Sequence, residues 1–157
     1  MRGNREALGP RGLRGFTMVE VLIVMGIVTI VATLGFWSAQ SLLPGYRLNG
    51  AAGALRGDLY KAKVLAAKRF RQYKVAFTQN GYQIQRGTGS SGTFALDTVE
   101  ESRTFANYPG VTVKTGATAD PVFSPRGTAT NVTITLQNAA GDEKTLTVSI
   151  AGRIKIH

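Results

Sequence analysis

The chain has 157 residues, a formal net charge of +10 and no cysteine. Disulfides, a thiol nucleophile and thiolate metal sites are therefore excluded. The single histidine is His157, so a Ser-His-Asp or Cys-His site has nowhere to form except on a terminal residue, and clustered histidine metal sites are excluded too. No cofactor and no metal are expected, and the composition argues against an enzyme.

Residues 1–15 hold Arg2, Arg5, Arg11 and Arg14 against one acid, Glu6. They show no apolar periodicity and read as a leader. The stretch 15–39, GFTMVEVLIVMGIVTIVATLGFWSA, follows at once. It carries one carboxylate, Glu20, and no charge from Val21 to Ala39. Such a run is long enough to cross a bilayer, which takes roughly 20 residues. Basic residues before it and none just after it keep the amino terminus in the cytoplasm. A carboxylate in a membrane helix costs on the order of 2.5–3.5 kcal/mol near the centre and less toward the interface, so it calls for a partner. The arginines lie on the far side of Gly15. The remaining candidate is an amino terminus on a neighbouring copy or related subunit, and Phe16 has a free amine only if the chain is cut after Gly15. An ordinary secretory signal, cut near Ser38-Ala39, or an uncleaved anchor would fit parts of this pattern. Neither accounts for Glu20.

G-F-T-M-V-E followed by about twenty apolar residues resembles the class III signal of type IV pilins and type II secretion pseudopilins. The resemblance implies that a prepilin peptidase cuts after Gly15 and that Phe16 is N-methylated. It also implies that Glu20 pairs with a terminal amine during filament assembly. The implied partners are other pilin or pseudopilin subunits, the peptidase, an inner-membrane assembly platform and the lipid bilayer. The implied location is the bacterial inner membrane, single-pass, with the head in the periplasm, and then a filament.

The expected helix runs over 16–71, with a transmembrane part at about 18–39 and an amphipathic part at about 46–71. At 1.5 Å per residue it is roughly 80 Å long. Leu43-Pro44-Gly45 predicts a kink or short break. Leu48, Ala52, Leu55, Leu59, Ala62 and Ala66 recur every three or four residues and form one apolar stripe. Gly53 and Gly57, four apart, read as a groove where a sheet sits close to the helix.

From residue 72 the period becomes two. Tyr73–Thr78 and Tyr82–Arg86 flank Gln79-Asn80-Gly81, a hairpin turn. GTGSSG at 87–92 reads as a loop. Arg103–Ala106 and Val111–Thr115 flank Asn107-Tyr108-Pro109-Gly110. Asn131–Gln137 and Lys144–Ile150 surround a turn at 138–142, each alternating apolar residues with threonine or serine. Ala151-Gly152 turns into a last strand, Arg153–Ile156. Glu100-Glu101 and Asp142-Glu143 read as solvated turn residues. The fold class is α+β: a long N-terminal membrane-spanning helix packed on a small antiparallel β head, 72–157, whose thin core needs the helix as a wall.

Phe123-Ser-Pro-Arg-Gly127, the strand NVTITL and the closing VSIAGRIKI resemble GspH/FimT-type minor pilins and minor pseudopilins. The implied function is a structural subunit of a type IV pilus or a secretion pseudopilus. A second reading stays open. No acid lies between Asp58 and Asp97, while Lys61, Lys63, Lys68, Arg69, Arg71, Lys74 and Arg86 do. Arg153 and Lys155 share one strand face opposite Ile154 and Ile156. A basic surface near Phe70, Tyr73 and Tyr82 can track a phosphate backbone. In some FimT-type pilins a G-R-x-R phrase binds DNA. Gly152-Arg153-Ile154-Lys155 departs from it by one lysine, which keeps the charge and loses the bidentate fork. The alternative is thus a DNA-binding competence pilin.

Overall fold

The computed structural model describes residues 15–88, 93–114 and 119–157, apart from the side chains of 35–39 and 41. The expected leader, save Gly15, and residues 89–92 of the expected loop lie outside them. Contacts divide the chain into two units, Met1–Ala39 and Gln40–His157. In the first unit the helix α1 begins. Among the described residues no helical stretch is long and apolar enough to cross a membrane. The expected span over 18–39 includes side chains outside that description.

Helix α1 spans Met18–Arg69 and carries Pro44 inside it. Of the expected kink or short break, the break is absent. Proline removes one amide donor and costs about 3 kcal/mol in a helix interior, but it ends a helix only when neighbouring turns cannot hold. Four residues on, the packed stripe begins and fixes them. Leu48, Ala52, Leu55, Leu59, Ala62 and Ala66 are all at most 2% exposed. The helix ends where Phe70 takes a left-handed φ of 53° and the Arg71 N–H donates to the Ala66 carbonyl. This six-to-one closure caps the last turn. A non-glycine residue there carries about 1–2 kcal/mol of strain.

Two four-stranded antiparallel sheets follow. Strands β1 (Gln72–Thr78), β2 (Gly81–Gly87), β3 (Leu96–Thr104) and β5 (Val122–Phe123) make the first, in the order β3-β2-β1-β5. Strands β4 (Thr112–Val113), β6 (Val132–Gln137), β7 (Glu143–Val148) and β8 (Ile154–Ile156) make the second, in the order β4-β6-β7-β8. Tyr73, Val75, Tyr82 and Ile84 from one sheet join Ile134, Leu136, Leu146 and Val148 from the other in one core with the helix stripe.

The β1–β2 hairpin closes with Thr78 opposite Gly81. Gly81 is needed less for the turn than for space, because a Cβ there would strike the Arg103 carbonyl of β3. The turn at 138–142 is organised by the Asn138 side-chain oxygen, which accepts from the Ala140 and Asp142 amides, with Gly141 at φ 90°.

Three expectations need correction. The strand expected at Arg103–Ala106 is only the tail of β3, which starts at Leu96 and passes into a 3-10 turn at Phe105–Asn107. As an edge strand, β3 has little apolar alternation for the sequence to display. Ile150 is 68% exposed instead of extending the β7 face, since β7 stops at Val148 and the chain turns. Gly53 and Gly57 do not receive the sheet. Both are exposed, and a Cβ on either would meet nothing within 4 Å.

The two phrases 123–127 and 152–155 meet in space. Gly152 has φ 66°, and a Cβ on it would overlap the Gly127 carbonyl oxygen and crowd the Lys63 side chain. Lys63 Nζ donates to the Gly152 carbonyl at 2.8 Å. Gly127 itself has φ 83°. Gly152→Ala is therefore expected to lower head stability by more than about 1 kcal/mol, read as a drop in the denaturation midpoint with an unchanged m-value.

Candidate functional site

At the amino-terminal end, Gly15, Phe16 and Thr17 precede the helix in non-helical backbone. Phe16 is 78% exposed. A side chain at Gly15 would meet nothing within 4 Å among the described residues. Nothing in the described structure requires glycine at that position. Thr17 is the helix N-cap: its Oγ1 accepts from the Glu20 N–H at 3.2 Å, and its carbonyl accepts from the Val21 amide. The pattern Thr-x-x-Glu announces this cap in sequence, and the sequence reading passed over it. Glu20 lies in the first turn, where the helix dipole favours a carboxylate. Its carboxylate is exposed and has no ion-pair partner among the described residues.

At the other end of the sequence, Arg153, just before β8, and Lys155, within it, are exposed while Ile154 between them is 2% exposed. They line a shallow groove of about 420 Å³ with Thr147, Ser149, Ala151 and His157. Neither cation has an acid partner among the described residues. The Thr145–His157 pair exchanges both backbone hydrogen bonds, and the Ser149 amide donates to the Arg153 carbonyl. The strand is thus firmly paired on its β7 side.

Four of the seven cations of the acid-free interval are paired, so it forms less of an open basic surface than its sequence implies. Lys61 pairs with Glu101, Arg69 with Glu100, Lys74 with Asp120, and Arg86 with Asp97 and Glu100. The acids come from β3 and the segment before β5, far away in sequence. Tyr73 and Tyr82 are 0% and 4% exposed, so of the three expected aromatics only Phe70 is available to a ligand.

Glu100 and Glu101 are the pivots of this network and not solvated turn residues. Adjacent strand residues normally point to opposite faces. Here the register jumps from Ile84–Glu101 to Gln85–Val99, so Glu100 is the extra residue of a bulge. The bulge lets both carboxylates reach the helix, Glu101 at Lys61 and Glu100 at Arg69. Arg103 also reaches Glu101 and Asp58. The Lys61 hydrogen bond, opposed by burial and aided by the Lys61 and Arg103 charges, holds the Glu101 carboxyl below its ordinary range. Tyr82 donates its hydroxyl to Asp58 at 2.6 Å. Burial first, then Asp58, pushes the Tyr82 hydroxyl far up, so it is a fixed donor and no base. Asp142 accepts from Asn138, and Glu143 pairs with Lys114. Every side-chain carboxylate in 40–157 is therefore engaged. Arg47, Arg56, Lys63, Lys68, Arg71, Arg126, Lys144, Arg153 and Lys155 have no acid partner among the described residues.

A family model described as "Type II transport protein GspH" matches residues 51–152. A second, "Prokaryotic N-terminal methylation motif", matches residues 11–36. The fold is similar to the type IV minor pilin FimU of Pseudomonas aeruginosa, with a TM-score of 0.54 at 23% identity. That match covers 70% of this chain and 87% of that one. It is also similar to the minor pseudopilin EpsH of Vibrio cholerae, with a TM-score of 0.53 at 12% identity, over 71% of this chain and 96% of that one. Among curated proteins none matches.

The lowered Glu101 pKa has a sign that can be tested. A carboxyl held lower in the folded than in the unfolded state stabilises fully above its unfolded value, about 4.3. That contribution disappears as pH falls through the folded value. Glu101→Gln is expected to be less stable than wild type at pH 7 and to lose less on acidification from pH 5 to pH 3, measured by urea unfolding at each pH.

Proposed function

The chain belongs to the GspH family of type II transport proteins, and on that premise we propose that it is cut after Gly15 and built into a filament through its amino-terminal helix. It is a minor pilin or pseudopilin, a structural subunit of the kind found in type IV pili and secretion pseudopili. The observation that carries the processing step is the Gly15–Phe16 junction. It lies in exposed, non-helical backbone directly before the N-cap, the backbone state a peptidase can take up. No steric demand among the described residues explains Gly15, and the methylation motif matched over residues 11–36 supports recognition by a prepilin peptidase.

After cleavage Phe16 would carry the free, methylatable amine. Glu20 would meet the amine of an adjacent subunit, because a carboxylate in an apolar helix gains most from a partner where water is scarce. The inner membrane then holds the helix, the head lies in the periplasm, and the assembly platform moves the subunit into the filament. Gly15→Glu is expected to leave the precursor uncut, heavier by its leader and still membrane-bound. Mature wild-type protein is expected to begin at Phe16 by mass spectrometry. Glu20→Ala should insert normally, be cut normally and fail to enter filaments. A wild-type amino terminus elsewhere would remove the processing step, and normal filament entry of the alanine variant would remove the Glu20 contact.

A second reading, capture of DNA by the head, is favoured by one observation: Arg153 and Lys155 are exposed, have no acid partner among the described residues and share a groove. The ion pairs along β3 narrow that reading to β8. Full-length protein in detergent is then expected to bind duplex DNA weakly, without sequence preference and with steep salt dependence. Arg153→Gln with Lys155→Gln should flatten the salt slope by up to about two units while leaving thermal unfolding unchanged. Identical slopes would discard this reading.

A further inference from the structure

Phe70 is the one non-glycine residue with positive φ among the described residues. The geometry itself has a clear origin. Helix α1 ends at Arg69 and β1 starts at Gln72, so two residues must reverse the chain, and a left-handed residue after the helix does this. Glycine is the usual occupant because it bears no penalty there. A phenylalanine bears the penalty, and its ring is 81% exposed. The ring therefore returns almost nothing to folding. A strained residue whose side chain does not serve its own fold points to use by something outside the chain.

Its surroundings fit that use. Lys68 and Arg71 on either side are exposed and have no acid partner among the described residues. Arg69 between them is tied to Glu100 and to the Tyr73 hydroxyl. The backbone closure from Arg71 to Ala66 fixes the junction further. The backbone that presents the ring is thus fixed before anything binds, which lowers part of the entropy cost of docking. An exposed aromatic flanked by cations is the composition of an interface anchor.

The occupant can be narrowed. Between Gln40 and Arg69 the helix rises by about 45 Å at 1.5 Å per residue. Phe70 thus follows the end of the helix remote from Gln40. A second copy of this chain is disfavoured by charge, since every side-chain carboxylate of 40–157 is already engaged within the chain. A nucleic acid would want several stacking platforms, and Tyr73 and Tyr82 are buried. We propose that Phe70, with Lys68 and Arg71, is the docking knob for a different, acidic subunit of the same filament, one presenting an apolar pocket rimmed by carboxylates. This rests on the filament-subunit reading above.

The test uses the full-length chain in cells that build the filament. A photo-crosslinking phenylalanine analogue at position 70 is expected to give a defined adduct with another prepilin-type subunit. Lys68→Gln with Arg71→Gln should weaken that adduct several-fold. Phe70→Gly should raise the melting temperature of purified protein by about 5 °C, since strain is relieved. The same variant should enter filaments less efficiently, on the order of tenfold, as expected for loss of an anchor residue. More stable but less assembled is a combination that a merely structural Phe70 cannot produce. An adduct with a second copy, with lipid or with DNA would overturn the proposal, as would no adduct. Equal filament entry of Phe70→Gly and wild type would overturn it as well. If wild-type protein itself never enters filaments, the failure belongs to the filament-subunit reading and not to Phe70 alone.

Discussion

The head depends on one packing event: the stripe from Leu48 to Ala66 closing against both sheets. Leu55, Leu59, Ala62 and Ala66 are fully buried there, and so are Tyr73, Phe123, Ile134 and Leu146. Each large side chain taken fully from water contributes roughly 1.5–3 kcal/mol. Neither sheet could close a core alone. The strands β4 and β5 are two residues each and β8 is three, so much of the second sheet and the edge of the first are held by what lies beneath them. Alanines on the helix at 51, 52, 62 and 66 let the strands approach, which is why the stripe mixes leucine with alanine.

Electrostatics act on top of this packing and mainly choose geometry. Surface ion pairs contribute about 0–1 kcal/mol each, so those along β3 do not hold the head together by strength. They fix where a polar, doubly bulged edge strand lies relative to the helix. Bulges also keep an edge from pairing with foreign strands. The acids of residues 97–120 are consumed in neutralising cations of residues 61–86. What remains is a surplus of positive charge at the helix end, on the Ser124–Gly127 turn and on the second sheet.

The meeting of Gly127, Gly152 and Lys63 explains why two short phrases far apart in the chain occur together. Gly152 must be left-handed and must also clear the Gly127 carbonyl, and Lys63 uses the carbonyl thereby turned toward the helix. The cluster links the turn after β5, the turn before β8 and the helix. It also sets the start of β8 and so the direction in which Arg153 and Lys155 project.

The sequence by itself determined the elements whose signals are local or periodic. The 3.6-residue stripe marks the buried helix face residue by residue. The alternation of Val132, Ile134 and Leu136 with threonine marks a half-buried strand, and the lone Glu20 in an apolar run marks the amino-terminal motif. Tertiary structure alone decided what depends on distant partners. Helix packing carries α1 through Pro44. The polar strand β3 is held by backbone pairing to β2 and placed by its acids meeting cations on the helix and on β2, and the sequence around Glu100-Glu101 has no periodicity to announce that. The acid-free interval overstates the basic surface because charge counted along the chain misses neutralisation across space, which among the described residues reaches Lys61, Arg69, Lys74 and Arg86 but not Lys68 or Arg71. The same holds for Phe70: its left-handed backbone and exposed ring follow from where β1 must begin, and no local pattern encodes that.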